Sequence, residues 1–246
     1  DNIDLSIVEQ IAKSCAAVGI DYELCAMEAT APQDDVVRRI ARLNDDPAVT
    51  GIFLHTPLPP QLDPQRLQYA INILKDVEGV NPANIGHLFY GHTIIAPCTA
   101  AAVLEMIDST GVPVRGADVA VVGASRIAGR PIALLLTARH ATVTVCHVDT
   151  RDTAAYTRRA DIVVVAVGKP GLIGAGDIKS GAVVIDVGIN RVSVPQADGT
   201  MALRTIGDVR VEEGAEKASH ISPVPGGVGP MTVAMLMQNT VQAAQI

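Results

Sequence analysis

Short apolar runs separated by helical patterns fill the second half of this chain, and this alternation constrains the fold more than any other feature. Four runs are predicted to be strands: Asp118–Val122, Ala141–Cys146, Ile162–Val167 and Ala182–Val187. Between the first two, Pro131–Arg139 has a helical pattern. Strands that alternate with helices form parallel sheets with helices on their faces. We therefore predict a doubly wound parallel sheet in this half.

The first half shows the same alternation. The predicted elements are a helix over Leu5–Gly19, a strand over Tyr22–Met27, an amphipathic helix over Gln33–Asn44 and a strand over Thr50–His55. The proline-rich segment TPLPPQLD follows the second strand and is predicted to form a stiff loop. Ligands of α/β sheets bind at the carboxyl ends of strands, so this loop is a candidate ligand contact.

A domain boundary is predicted near residue 100. The segment Pro97-Cys98-Thr99 precedes a helical pattern, with Thr99 as the expected N-cap and Gly111 as the expected stop. A chain of 246 residues is long enough for two domains. The predicted fold class is therefore α/β with two domains.

Composition excludes several classes of function. The net charge of -7 argues against nucleic acid as a partner. No apolar run approaches the roughly 18 residues that would span a bilayer, and no basic-then-apolar leader opens the chain, so no membrane association is expected. The chain starts at Asp1 without a methionine, and we expect residues to precede it in the natural protein.

The cysteines and histidines predict no metal site. The four cysteines contain no CxxC pair, which argues against a zinc knuckle or a disulfide framework and fits the reducing cytoplasm. Three histidines, His87, His92 and His140, have no ligand spacing with one another or with the cysteines.

The segment Ile221–Met237 is rich in proline and glycine. Its prolines restrict the backbone, while Gly226, Gly227 and Gly229 permit close approaches that a side chain would block. An apolar helix is predicted to begin at Thr232. Such a rigid surface with few side chains is typical of a ligand wall; the alternative is a structural turn that leads into a helix.

A glycine-bracketed turn follows the first predicted strand of the second half. Gly123 and Gly129 enclose a loop that ends at a helix opening with Pro131, and a phosphate suits that helix N-terminus. The pattern is not GxGxxG, so alone it is a weak signal. Asp149 ends the next strand, where an acidic side chain holds the ribose hydroxyls of a dinucleotide. The alternative for Asp149 is an ordinary turn or capping aspartate.

Taken with these features, six segments in order resemble the FolD family of methylenetetrahydrofolate dehydrogenase/methenyltetrahydrofolate cyclohydrolase. They are GIFLHTPLPPQLD, KDVEGVNPANIG, APCT, VVGASRIAGRP, VVIDVGINR and SPVPGGVGPMT. The resemblance covers essentially the whole chain. It implies a folate-binding catalytic domain over residues 1–100, completed by a C-terminal helix over 230–246, and a Rossmann-like NAD(P)-binding domain over 101–229. It further implies that folate lies in the cleft between the domains and that the protein is a homodimer.

The chain departs from the family in the expected folate site. The resemblance implies a tyrosine that stacks on the pterin and, four residues later, a lysine that moves protons and activates water; Ile7 and Ile11 occupy these positions. The glutamine that supports the lysine is His55 here, and a leucine is Thr56. We therefore expect a dehydrogenase with weak or absent cyclohydrolase activity. His55 is either a replacement base or a packed strand histidine.

The remaining folate residues follow from the same resemblance. The expected catalytic residues are His55, Asp76 and Glu78, with Glu78 in place of the second aspartate of a DVDG segment. A solvated loop charge is the alternative reading of Asp76. The expected substrate-binding residues are Ile7, Ile11, Leu54, His55, Thr56, Pro57, Pro225, Gly226, Gly227, Val228 and Gly229.

The resemblance also implies a set of cofactor-binding residues. They are Gly123, Ala124, Ser125, Arg126, Ile127, Gly129, Arg130, Pro131, His147, Val148, Asp149, Gly168, Ile189 and Thr232. NADP-dependent relatives carry an arginine and a serine or arginine where this chain has Ala124 and Val148. Asp149 would repel a 2′-phosphate, so NAD is expected as the cofactor, with NADP as the alternative because Arg126 or Arg151 would neutralise the phosphate.

Two other functions remain open at the level of sequence. Loss of the tyrosine and lysine is also consistent with an inactive folate- or nucleotide-binding protein. An altered pterin wall fits an enzyme that acts on a different one-carbon carrier.

Overall fold

The computed structural model describes residues 5–195 and 200–246, and the chain divides into two compact units. The N-terminal unit comprises the chain up to Cys98 together with Val233–Ile246, and the central unit comprises Thr99–Thr232. The predicted α/β fold with two domains is confirmed.

The described residues form nine α-helices and seven strands. The helices are α1 (Leu5–Val18), α2 (Gln33–Asp45), α3 (Pro64–Ala70), α4 (Pro82–Phe89), α5 (Cys98–Ser109), α6 (Gly129–Ala138), α7 (Ala154–Thr157), α8 (Val211–Ala215) and α9 (Val228–Ala243), with a single 3-10 turn at Ala175–Asp177. The strands are β1 (Asp118–Val122), β2 (Thr142–Cys146), β3 (Ile162–Val165), β4 (Val183–Asp186), β5 (Asn190–Pro195), β6 (Met201–Ile206) and β7 (His220–Ile221).

A five-stranded parallel sheet forms the core of the central unit, in the order β2-β1-β3-β4-β7. Strands β3 and β4 are buried along their whole length, and α6 packs against β1 and β2. The strand order reverses at β1, whose neighbours are β2 on one side and β3 on the other. The carboxyl ends of β1 and β3 therefore form the topological switch point, where doubly wound sheets bind their ligands.

The four predicted strands of this sheet are confirmed, with small differences at their ends. Strand β3 ends at Val165, two residues earlier than predicted, and the Val167 amide donates to the Asp208 carboxylate instead of to a neighbouring strand. The sheet also gains β7, and β5 and β6 form an antiparallel hairpin that pairs Asn190 with Ile206. The sequence analysis did not predict these three strands.

Helices dominate the N-terminal unit, and the prediction of regular strands there is wrong. Residues 22–27 form no strand, and Thr50–His55 contributes only an isolated parallel bridge from Ile52 to Asp76. Within the described residues of this unit no strand ladder forms. A β-favouring sequence becomes a strand only where a neighbour takes up its amides and carbonyls, and local propensity does not provide that neighbour.

Three helices begin earlier than predicted. Helix α6 starts at Gly129 instead of Pro131. Helix α5 starts at Cys98, so Thr99 lies in its first turn and is not the N-cap. Helix α9 starts at Val228 instead of Thr232, and the Thr232 hydroxyl donates to the Val228 carbonyl at 3.0 Å inside the helix. In the described part of the chain, no helix is both long and apolar enough to cross a membrane.

Candidate active site

A buried acidic turn, residues 76–79, lies at the centre of the N-terminal unit. Asp76 is 1% exposed, and its carboxylate accepts hydrogen bonds from the backbone amides of Gly79 and Asn81 at 3.2 and 2.7 Å. The side-chain amide of Asn84 donates a third bond at 2.9 Å. Burial raises the pKa of Asp76, and these donors oppose that effect. Asp76 is therefore a structural acceptor inside the turn and not a solvated loop charge.

Glu78, the second acid of the turn, is protonated at a higher pH than an ordinary glutamate. Burial, together with the charge of Asp76, raises the pKa of Glu78 from 4.5 to about 7. A neighbouring cation would lower this pKa, but none contributes to it among the described residues. Glu78 therefore changes charge near neutral pH, as a group that exchanges protons with a ligand must.

The acidic turn is packed against the start of α5. A Cβ on Gly79, which has a φ of +75°, would lie 2.5 Å from the Ala96 carbonyl. The Cys98 thiol donates to the Val77 carbonyl at 3.3 Å, and burial, with the nearby charge of Glu78, raises the pKa of Cys98 to about 12. Cys98 is therefore a neutral packing thiol.

A residue far along the chain completes this arrangement. The side-chain amide of Asn239, on α9, donates to the carbonyls of Val77 and Ala96, both at 2.9 Å, and lies 3.3 Å from the Cys98 sulfur. The sequence analysis did not identify Asn239, because a polar residue in an apolar helix carries no sign of its distant partner. The sequence analysis also did not identify Asn81 and Asn84 as hydrogen-bond donors to Asp76.

His55 lies on the segment next to this turn. Ile52 forms an isolated parallel bridge with Asp76 of the turn, and His55 follows Ile52 by three residues. The His55 Nε2 atom is 3.4 Å from the Tyr22 hydroxyl, and its ring packs edge-on against Phe53 with centroids 4.7 Å apart. Burial lowers the pKa of His55 and favours the neutral imidazole.

The two isoleucines have different environments. Ile11 is 3% exposed and belongs to an apolar cluster with Cys15, Val77, Cys98, Leu236 and Met237. This cluster includes Val77, the middle residue of the acidic turn, so Ile11 brings a hydrocarbon side chain to the turn. Ile7 is 45% exposed and is free to pack on a ligand.

The other predicted substrate residues fall in two places. In the N-terminal unit, Leu54 packs on a second apolar cluster, while Thr56 and Pro57 are exposed. In the central unit, residues 225–227 form the turn into α9, where Gly226 has a φ of +99° and a Cβ on Gly227 would meet the Pro223 carbonyl at 2.4 Å. Val228, 5% exposed, and Gly229 lie in the first turn of α9. Pro225 and Gly226 are the exposed residues of this turn.

The glycine turn after β1 is a tightly packed backbone loop at the switch point. A Cβ on Gly123 would lie 2.2 Å from the Ala166 carbonyl, and one on Gly129 would lie 1.9 Å from the Gly123 carbonyl. The Ser125 hydroxyl accepts from the amides of Ala128 and Gly129 at 3.2 and 3.4 Å. The two glycines thus allow the loop to approach both β3 and the start of α6, which is the geometry of a phosphate-binding turn.

The rest of the predicted cofactor set lies around this loop or follows neighbouring strands. Arg126, Ile127 and Arg130 are exposed, Ala124 is half-buried, and Pro131 is buried at the start of α6. Gly168 and Ile189, after β3 and β4, are exposed. Thr232 is half-buried inside α9 and uses its hydroxyl within the helix.

The loop after β2 presents an acidic side chain. The Asp149 side chain is 86% exposed, and its backbone amide donates to the His147 Nδ1 atom at 3.2 Å. The Thr150 hydroxyl accepts from the His147 amide at 2.9 Å, which closes the turn. Val148 is 90% exposed. Because ribose hydroxyls bind a carboxylate at this position, the residues present fit a dinucleotide.

Two family models match the chain. Residues 97–246 match the NAD(P)-binding domain of tetrahydrofolate dehydrogenase/cyclohydrolase, and residues 4–78 match the catalytic domain of the same family. The chain belongs to this family.

Individual relatives agree with this assignment. The chain is 51% identical over 236 residues to the bifunctional protein FolD of Rhodobacter capsulatus, covering 96% of this chain and 77% of that protein. The crystal structure of FolD from Campylobacter jejuni superimposes with a TM-score of 0.91 at 39% identity, covering 98% of this chain and 83% of that chain. Trypanosoma brucei FolD, solved with NADP and an inhibitor, also gives a TM-score of 0.91 at 39% identity, with coverage of 98% and 82%.

The family matches contain most of the residues described above, but residues 79–96, with Asn81 and Asn84, lie between the two matches. The catalytic-domain match includes Ile11, His55 and residues 76–78 of the acidic turn, and the NAD(P)-binding match includes the glycine turn and Asp149. The positions at which the sequence analysis expects departures from the family, such as Ile11 and Val148, therefore lie inside matched regions.

Proposed function

We propose that the chain oxidises 5,10-methylenetetrahydrofolate to 5,10-methenyltetrahydrofolate by hydride transfer to NAD or NADP, and that its hydrolysis of the methenyl product is weak or lost. The observation that carries the second part is the burial of Ile11 in the apolar cluster that contains Val77 and Cys98. The resemblance puts a lysine at this position, and here a hydrocarbon side chain fills it.

The oxidation needs little proton chemistry from the protein. The methylene carbon loses a hydride, and the lone pair of a ring nitrogen stabilises the resulting cation, while bound NAD(P) supplies the hydride acceptor. The protein has to position the substrate and exclude water. The acidic turn, with Asp76 held by three donors, is rigid enough to position a polar ring in this way.

Hydrolysis of the product has a different requirement. Water loses a proton as it attacks the methenyl carbon, and a ring nitrogen gains a proton as the ring opens. Neither Ile11 nor Ile7 moves a proton. Glu78 belongs to the acidic turn and His55 follows Ile52 of the Ile52–Asp76 bridge by three residues, but neither titratable group gains the support of a cation in the described residues. This absence supports a dehydrogenase whose methenyl product is released unhydrolysed.

A single absorbance experiment tests the proposal. Purified protein is mixed with methylenetetrahydrofolate and either NAD or NADP, and reduced nicotinamide and methenyltetrahydrofolate are followed in the same trace. We expect reduced nicotinamide to appear together with persistent methenyltetrahydrofolate. Hydrolysis of the methenyl product at the rate of dehydrogenation would contradict the loss of cyclohydrolase activity. Dinucleotide binding without any turnover would favour an inactive binding protein or a different one-carbon carrier.

We also propose that NAD is preferred over NADP. The exposed carboxylate of Asp149 would repel a 2′-phosphate and accept bonds from an unmodified ribose. Ala124 and Val148 supply no compensating charge at the positions where NADP-dependent relatives carry polar or basic side chains. Arg126 and Arg151 are exposed in the same region and are the groups on which NADP binding would depend.

The remaining proposals concern organisation. We propose that residues 1–100 with the helix over 230–246 bind folate, and that residues 101–229 bind the dinucleotide.

We further propose a homodimer. The exposed apolar side chains of Met201 and Leu203 on β6 support an interface. Light scattering coupled to size exclusion tests this, and a monomer mass at all concentrations would contradict it. The four unpaired cysteines support a cytoplasmic location.

A further inference from the structure

Two buried carboxylates lie at the carboxyl edge of the central sheet. Asp186 ends β4, and Asp208 follows β6; they are 1% and 0% exposed. Every hydrogen bond to their side chains in the described residues comes from a backbone amide or from the amide group of Asn190. If one of these amides moved away, a buried polar group would lose its hydrogen-bond partner, which costs free energy. The two carboxylates therefore fix the positions of the amides that donate to them.

Asp208 joins two loops. Its Oδ2 atom accepts from the amides of Val167 and Gly168, at 2.7 and 2.9 Å, in the loop after β3. Its Oδ1 atom accepts from the side-chain amide of Asn190, at 2.9 Å, where β5 begins after the loop from β4. One carboxylate therefore fixes the chain segments that leave two adjacent strands.

Asp186 holds Asp208 in place. Its Oδ1 atom accepts from the amides of Gly188 and Asp208 at 2.9 and 3.0 Å, and its Oδ2 atom accepts from the Val209 amide at 2.8 Å. A Cβ on Gly207 would lie 1.9 Å from the Asp186 Oδ2 atom. Glycine at this position thus lets the carboxylate pack directly on backbone.

The loop after β3 is one wall of the switch point. A Cβ on Gly123 would lie 2.2 Å from the carbonyl of Ala166, so the glycine turn after β1 is in direct contact with the residue that precedes Val167. Any shift of Val167 and Gly168 therefore changes the space beside the glycine turn.

We propose that Asp208 is a positioning residue for the dinucleotide: by fixing the amides of Val167 and Gly168, it sets one wall of the switch point of the central sheet, where the cofactor binds. The inference rests on the proposed NAD(P)-dependent function. We expect Asp208 to affect the reaction at the folate only through the position of the cofactor.

The test first disrupts the hydrogen bond between Asn190 and Asp208 and then restores it with donor and acceptor exchanged. In wild-type Asp208, one carboxylate oxygen accepts from two backbone amides and the other accepts from the Asn190 NH₂. Asp208→Asn replaces one of these oxygens with an NH₂ group. In either orientation of the new side chain, this NH₂ therefore faces another hydrogen-bond donor. We expect the Kd for NADH, measured by fluorescence titration, to rise about tenfold or more, since bonds to a charged group are lost. The double variant Asp208→Asn with Asn190→Asp lets the introduced amide donate to the introduced carboxylate and accept from Val167 and Gly168. Its Kd is expected to return to within about threefold of the wild-type value.

Kinetics separate a positioning role from a loss of folded protein. In Asp208→Asn we expect the KM for NAD to rise while the KM for methylenetetrahydrofolate stays unchanged, whereas partial unfolding would lower kcat and leave both KM values alone. Asp177→Asn is the matched control, because Asp177 also accepts a backbone amide in the central unit, from Gly174 at 2.9 Å, away from the switch point.

The outcomes distinguish this inference from the proposed function. If the wild-type protein binds neither NADH nor NADPH, the proposed function is wrong and the inference falls with it. If it binds NADH and Asp208→Asn binds equally well, only the inference is wrong. If Asp208→Asn does not fold, a folded double variant with a tenfold weaker Kd overturns the inference.

Discussion

We expect the chemistry of this protein to depend more on Ile11 than on any other single residue. It fills a buried position in the apolar cluster with Val77, inside the region that matches the family's catalytic domain. Glu78, the next residue along the acidic turn, has a pKa raised to about 7 by burial and by Asp76, with no cation among the described residues to oppose the shift.

Restoring the amine is expected to restore hydrolysis. Ile11→Lys should raise the rate of methenyltetrahydrofolate hydrolysis by roughly a hundredfold, the lower end of what a positioned proton-transfer group provides. It should also lower the thermal midpoint, because a charge enters an apolar cluster. The measurement is the decay of methenyltetrahydrofolate absorbance after addition of the product.

Ile11→Met is the matched control, since it keeps the side chain apolar and of similar volume. We expect it to leave both rates close to those of the wild type. An unchanged hydrolysis rate in a folded Ile11→Lys variant would show that the missing lysine is not the cause of weak hydrolysis.

At the scale of elements, we expect two loops of the central unit to determine the cofactor specificity. The glycine turn after β1 depends on backbone packing, with Gly129 in close contact with the Gly123 carbonyl. The loop after β2 depends on charge, with Asp149 exposed at its tip. The first loop suits any pyrophosphate, and the second distinguishes one ribose from another.

A methyl group at the glycine turn should disrupt the phosphate site. In Gly129→Ala the added carbon would lie 1.9 Å from a carbonyl oxygen, so the loop must move. We expect at least tenfold weaker NADH binding, by fluorescence titration. Gly176→Ala, in the same unit, has open space around the added carbon and should bind NADH like the wild type. Equal affinities in the two variants would argue against this turn as the phosphate site.

Changing the charge of the loop after β2 should change the preferred cofactor. Replacing Val148 with arginine and Asp149 with asparagine removes the repelling carboxylate and adds a guanidinium for the 2′-phosphate. The ratio of kcat/KM for NADP to that for NAD is expected to rise tenfold or more, on the order of the energy of a charge-assisted bond. Comparable turnover of both cofactors by the wild type would contradict the preference from the outset.

At the scale of the whole molecule, the buried acidic turn makes folding stability depend on pH. The pKa of Glu78 is about 7 in the folded chain against the usual 4.5, so the folded state binds this proton more tightly. The stability it contributes is complete below about pH 4.5 and is lost as the pH rises through 7. The upper limit of this loss is on the order of 3 kcal/mol.

Urea unfolding of Glu78→Gln tests this dependence. We expect the wild type to lose stability relative to Glu78→Gln between about pH 5 and pH 7.5, because only the wild type has to ionise a buried acid. Glu105→Gln, on an exposed position of α5, controls for the loss of one charge. Parallel pH profiles for the wild type and Glu78→Gln would mean that Glu78 is ionised in the folded protein at all these pH values.

Much of the central unit could be predicted from the sequence because its signals are local. Four valine-rich runs became β1 to β4, and Gly123 with Gly129 became a turn at the switch point. A strand buried on both faces is apolar throughout, and a close backbone approach requires glycine. In both cases the residues that form the feature are themselves the signal that predicts it.

Only the tertiary structure decided the features that join distant residues. It left residues 22–27 without a ladder, started α9 at Val228, and brought Asn239 to the Val77 carbonyl across 162 positions of sequence. It also assembled the contacts of Asp208 with Val167, Gly168 and Asn190. A hydrogen bond between distant segments depends on how the whole chain packs, and neither residue's neighbours in sequence contain that information. The sequence by itself therefore determined the sheet, the glycine turn and the family. Packing determined which residues donate to the buried carboxylates of the acidic turn and of Asp186 and Asp208.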